Sequence, residues 1–96
     1  MAVERPTFHE AWYRVSGLRP RLLSGVRAHR QRFRGQTWYI LDNPANDQYS
    51  RISEEAYRFV GLLNGRRTVA EVWLICNEQL GDRAPTQGEI IQLLGQ

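Results

Sequence analysis

Leu62-Leu63-Asn64-Gly65-Arg66-Arg67-Thr68-Val69-Ala70-Glu71-Val72 is the stretch on which the reading of the fold turns. An apolar run closes at Leu63, and Asn64-Gly65 follows. Gly adopts left-handed backbone without a Cβ penalty, so the spacing predicts a helix stopped at Gly65. Thr68 and Glu71 stand three apart, as a capping box requires: each side chain can take a backbone N–H that the helix start leaves free. Two helices joined by a tight corner are therefore expected, with Arg66 and Arg67 at the exposed bend.

Working outward, Ser53 is an N-cap for the upstream helix, and Glu54 and Glu55 sit in its first turn, where carboxylates favour the positive end of the helix dipole. Ala56, Phe59, Val60 and Leu63 fall on one stripe. The downstream helix turns Val69, Val72, Trp73, Cys76 and Leu80 inward and ends at Gly81. Thr86-Gln87-Gly88-Glu89 is a second capping box. It opens a third helix with Ile90, Leu93 and Leu94 inward and Gln87, Glu89 and Gln92 outward. That helix is about three turns long and its apolar stripe still runs at Leu94. The expectation is a truncated helix, in a fragment or a module normally joined to more protein.

Before the helices the period changes to two. Val26 to Phe33 reads as a polar, Arg-rich strand. Arg34-Gly35-Gln36 is a turn, and Thr37-Trp38-Tyr39-Ile40-Leu41 is dense in residues that favour a pleated, half-buried surface. The cluster Asp42 to Asp47 is a turn, and Tyr49-Ser50-Arg51-Ile52 is a short third strand. The fold class is α+β, a three-stranded antiparallel meander followed by three helices. Residues 1–25 form an N-terminal arm and 26–96 the domain. The arm carries an amphipathic piece around Trp12, Tyr13, Val15 and Leu18, read as a docking arm or an extra strand.

The chain has 96 residues, enough for one modest core that hides about 60–65% of the unfolded surface. No stretch approaches the apolar length of a membrane span, and Glu4 and His9 interrupt any secretory signal. A soluble, cytoplasmic polypeptide is expected. The single cysteine, Cys76, excludes an internal disulfide and a multi-thiolate metal site; among Val72, Trp73 and Leu80 it reads as a small apolar residue.

Charge is segregated. All 13 basic residues are Arg, and seven of them (14, 19, 21, 27, 30, 32 and 34) lie between Ala11 and Leu41 with no acid among them. Arginine suits bidentate contacts to carboxylates or phosphates. A solvated strand face, or codon usage alone, accounts for the same pattern. Catalytic constellations are missing: His9 and His29 belong to no zinc-ligand spacing, and no nucleophile elbow, phosphate-cradling loop or dinucleotide fingerprint occurs. Catalytic and metal-binding residues, and cofactors, are therefore read as none. Helices after a sheet also admit a DNA-binding winged helix. Yet Glu71, Leu74 and Glu78 on the outward face of the second helix give phosphate little to meet, and nucleic acid is disfavoured as a partner.

The run from Leu62 to Val72, after three strands and before Leu93-Leu94, resembles the PqqD-like domains, also called RiPP recognition elements. Their pattern is an apolar helix end, a D/N-G-x-x-T turn and a TVxEI helix start, and the likeness covers residues 26–94. Trp12-Tyr13-Arg14-Val15, Gly17-Leu18-Arg19-Pro20-Arg21-Leu22 and Arg34-Gly35-Gln36-Thr37-Trp38-Tyr39 resemble more closely the N-terminal cytoplasmic part of membrane-embedded site-2-protease-type zinc metallopeptidases. The zinc-binding H-E-x-x-H of those proteins lies in a membrane portion not found in this sequence. The resemblance implies a winged-helix-like fold and a non-catalytic role in binding a peptide or protein partner. In the family a leader peptide adds as a strand beside the third strand, in a groove closed by the third helix. Carried onto this chain, that groove would use Tyr49, Ser50, Arg51 and Ile52, facing Ile90, Ile91 and Leu94, with Arg51 pairing an acidic peptide residue. Next to a membrane-embedded partner, the Arg-rich strand would also have an anionic membrane surface within reach.

Overall fold

In the computed structural model, which describes residues 7–22, 24–45 and 47–95, the alternating segments fold as one antiparallel sheet. Residues 1–6 of the arm and Asn46 of the turn cluster lie outside the described residues. Strands β1 (Arg27–Phe33), β2 (Gln36–Asn43) and β3 (Gln48–Ser53) pair in the order β1-β2-β3. The first hairpin closes on two residues, Arg34 at φ 52° and Gly35 at φ 78°. A turn with both central residues at positive φ matches the right-handed twist of the strands it joins. β2 runs further than its apolar residues imply, because Asp42 is paired with both Arg27 and Tyr49 in the ladder, and Arg27 Nη2 lies 3.8 Å from its carboxylate.

A strand's period of two sorts these residues into two faces. The rows Ala28–Leu41–Ser50 and Arg30–Tyr39–Ile52 form the inner face, and His29–Ile40–Arg51 and Arg27–Asp42–Tyr49 the outer one. Ile52 is buried, and Tyr39 stacks on Tyr57 at 3.8 Å between ring centroids with planes 8° apart. The inner face is thus where helices pack. β1 stays exposed along its whole length. Arg30 and Arg32 occupy its inward positions, and no core accepts two unpaired guanidinium groups.

Helices α1 (Glu54–Leu62), α2 (Val69–Leu80) and α3 (Gln87–Leu94) complete the α+β fold. Ser53 caps α1 by accepting from Ala56 N, and both capping boxes form, Thr68 with Glu71 and Thr86 with Glu89. Phe59, Val69, Val72, Cys76 and Ile90 are fully buried in a core that includes Trp73 and Ala84. Cys76 is the buried apolar residue expected of it, and burial pushes its thiol pKa up, with Arg58 opposing weakly.

Gly65 does a different job from the one its sequence position implies. α1 ends at Leu62, and Leu63 is already extended at ψ 125°. Gly65, at φ 78°, instead shapes the corner after the helix, where Asn64 Oδ1 accepts from Arg66 N and Arg67 N at 2.9 Å each. Gly81 does end α2: at φ 58° its N–H donates to Asn77 O.

The arm forms no strand among its described residues. It makes one 3-10 turn at Trp12–Arg14 and then threads past the starts of two helices. Val69 N donates to Leu18 O, Ala70 N to Ser16 O, and Gln87 N to Thr7 O. Helix starts leave N–H groups without intrahelical partners, so the arm's carbonyls finish what the capping boxes begin. Trp12 packs on Trp73 with ring centroids 5.3 Å apart, and Val15 joins the same cluster. Gln87, expected outward, is buried for this reason: the arm crosses it, and its Oε1 accepts from His9 N at 2.9 Å.

Candidate functional site

β3 is an edge strand, paired on one side with β2 alone. Against the inner face lies a groove of about 310 Å³ that touches β3 at Gln48 and Ser50 and reaches Val26 ahead of β1. One wall is the inner face of the hairpin, where Leu41 opposes Ser50 and Asn43 opposes Gln48. Val60 and Leu63 of α1 line it further in, and Leu93 and Leu94 of α3 stand across from the sheet. The arm closes it with Pro20, Arg21 and Leu22. The lining is therefore mostly aliphatic, with polar groups along the strand, which is the composition a side-chain pocket beside a sheet edge needs.

The seven residues expected at this site separate into three groups. Ser50 and Leu94 line the groove. Ile52 and Ile90 are buried core residues, and Ile91 is half-buried on α3 without lining the cavity. Tyr49 and Arg51 point to the outer face, because consecutive strand residues alternate sides. Arg51 lies over Trp38 on that outer face, 4.7 Å from the ring centroid. Residue reading missed Leu41, Val60 and Leu63, whose apolar positions it assigned to strand and helix packing alone. It also missed the arm residues Pro20 to Leu22, for which the hydrogen bond from Gly65 N to Pro20 O, 3.1 Å, supplies the anchor.

Positive charge collects at the arm's end of the groove. Arg21 lines it, with its Cδ only 3.6 Å from where a Cβ on Gly65 would sit. Arg19 Nε donates to Arg66 O at 3.1 Å, and Arg67 Nη1 to Leu62 O at 3.0 Å. These bonds brace two guanidinium groups on backbone carbonyls at the corner. Glu71 sits nearby but is committed to its capping box. Hydrogen bonds from the Thr68 backbone and side chain hold its pKa below the ordinary carboxylate range, and Arg19 and Arg67 add to the effect.

A larger, more polar depression of about 580 Å³ shares Leu93 with the groove. Its rim is occupied by structural contacts: Ser53 and Thr86 cap helices, and Arg83 donates to Glu55 at 2.8 Å. The narrower groove, not this one, has an apolar lining beside a strand edge. Among the described residues no three His, Cys, Asp or Glu side chains converge to hold a metal ion, and no helix is long and apolar enough to cross a membrane. The outward face of α2 shows exposed Glu71, Leu74 and Glu78. No family model, curated protein or solved structure matches the chain significantly.

Proposed function

We propose that the chain is a non-catalytic module that binds an extended peptide, or an extended segment of a partner protein, along the edge of β3. The observation that carries this reading is the aliphatic groove between β3 and α3, set against an edge strand with one side unpaired. An added strand would gain backbone hydrogen bonds from the edge and would place alternate side chains into the groove. A volume of about 310 Å³ accepts one or two aliphatic side chains, not a folded domain. Arg21 and the neighbouring Arg19, Arg66 and Arg67 favour a segment with carboxylates flanking its apolar anchor.

This reading accords with the resemblance to PqqD-like domains. In the same terms the module would select or feed substrate for a larger enzyme, in our proposal a membrane-embedded zinc metallopeptidase. The DNA-binding alternative gains no support from the acidic outward face of α2.

Titration of the labelled protein with extended acidic peptides, each carrying one Leu or Ile, tests the proposal by NMR. Signals of residues 48–53 and of Leu93 and Leu94 should shift together, and Ser50→Trp, which fills the groove, should abolish the shifts. Shifts confined to other surfaces, or none across such a peptide set, would overturn it.

A further inference from the structure

α1 packs on the inner face of the sheet and α2 packs on α1, and among the described residues no element covers the outer face. Its rows are Gln31–Trp38–Ser53, His29–Ile40–Arg51 and Arg27–Asp42–Tyr49, with Phe33 at the hairpin end. Two aromatic side chains stand out at opposite ends of this face: Phe33 is 57% exposed and Tyr49 71%. Trp38 and Ile40 lie half-buried between them. Guanidinium groups interleave with the rings, Arg51 over Trp38 and Arg34 at 5.2 Å from the centroid of Phe33. Between Phe33 and Trp38 lies an open hollow of about 410 Å³, rimmed by Gln31, Arg32 and Arg51.

The layers differ in charge. The sheet, residues 27–53, carries five Arg against two Asp, whereas residues 54–95 carry four Arg against six carboxylates. The sheet is thus a positive layer, with Arg27 and Arg51 on its uncovered face and Arg34 at the adjoining turn. Among the described residues, no carboxylate lies within ion-pair distance of Arg51, Arg32 or Arg34. Interfacial membrane sites combine the same elements: Trp and Tyr at headgroup depth, with Arg aliphatic stems laid on apolar surface and charged heads turned to phosphate.

We propose that the outer face of the sheet seats the protein on an anionic lipid surface. Phe33, Trp38 and Tyr49 enter the interface, and Arg34 and Arg51 meet lipid phosphates. The hollow between Phe33 and Trp38 receives one phosphate-bearing headgroup. Lipid fits better than single-stranded nucleic acid, which needs free ring faces for its bases to stack on; the face of Trp38 is taken by Arg51. It also fits better than a peptide, because the aromatic groups spread over the whole face and do not follow a strand edge. With the outer face on lipid, the groove on the inner side remains open.

Co-sedimentation of the protein with vesicles tests this independently of the groove. Vesicles of phosphatidylcholine with a quarter phosphatidylserine should bind, and phosphatidylcholine alone should not. Arg34→Gln with Arg51→Gln should weaken binding about tenfold or more, since each charge close to such a surface contributes roughly fivefold. Phe33→Ser with Tyr49→Ser, at unchanged charge and on exposed positions, should weaken it several-fold, and far-ultraviolet circular dichroism should show both pairs folded. Absence of binding to the anionic vesicles, or binding indifferent to both pairs, would overturn the assignment. So would tighter binding to oligothymidine at the same salt, lost with the same substitutions.

Discussion

Replacing Trp12 by Ala tests whether the arm belongs to the fold. The indole packs on Trp73, a residue only 8% exposed whose Nε1 donates to Pro85 O at 2.8 Å. Truncating a fully buried Trp costs about 3–5 kcal/mol, and Trp12 is half-buried, so about 2 kcal/mol is expected from lost burial. Loss of the tilted aromatic pair adds about 0.5–1 kcal/mol. For a chain of this size each kcal/mol moves the midpoint about 4–8 °C, so the melting temperature should fall by roughly 10–20 °C. The adjacent Tyr13 is 73% exposed, and Tyr13→Ala should cost no more than about 0.5 kcal/mol. Thermal and urea unfolding followed by circular dichroism give both numbers. Equal, small effects of the two substitutions would show that the arm is an appendage, and would remove the wall formed by Pro20, Arg21 and Leu22. If the arm is integral, Trp12→Ala should also weaken the proposed peptide binding at the groove.

Other outcomes follow from local geometry. Thr68→Ala removes the cap on Glu71 N and should cost about 1 kcal/mol by denaturant unfolding. Because the folded pKa of Glu71 is lowered, its stabilising contribution is present above the ordinary carboxylate range and is lost as pH falls through the folded value; Glu71→Gln should flatten that part of the acid limb. Arg34 holds φ 52° in a turn that prefers Asn, so Arg34→Asn should raise stability by roughly 0.5–1 kcal/mol in the same assay. Gly65→Ala meets only ordinary contact with Arg21 but keeps φ 78°, so backbone strain alone should cost about 1 kcal/mol. Cys76, buried and with its thiol pKa raised, should react with iodoacetamide only as fast as the protein opens, and a burst of labelling in native buffer would refute its placement.

Local rules made most of the fold legible. Capping residues at 53, 68 and 86 fixed three helix starts, because each satisfies N–H groups within three residues of itself. Turn residues fixed the meander in the same way. Long-range effects were hidden from that reading. Gln87 looked solvent-facing by helical period, and only a partner 78 residues away buries it. The groove was half legible: strand and helix were named correctly as elements, but four consecutive strand residues cannot share one face. Which of them looked inward depended on register against β2, where Ser50 opposes Leu41. The arm's part was not legible, since its bonds to helix starts run from backbone carbonyls and leave no mark in residue type.

Those carbonyl bonds also govern when the molecule can be finished. Thr7 closes on Gln87, and Ser16 and Leu18 on Ala70 and Val69. A chain made from its N-terminus must hold the arm idle until α2 and then α3 have left the ribosome. The sheet and α1, built from contacts between near neighbours in sequence, can form long before that. Closing loops of such length is slow relative to hairpin formation. Until the arm docks, Trp73 lacks the cover of Trp12 and the groove lacks the wall of Pro20, Arg21 and Leu22.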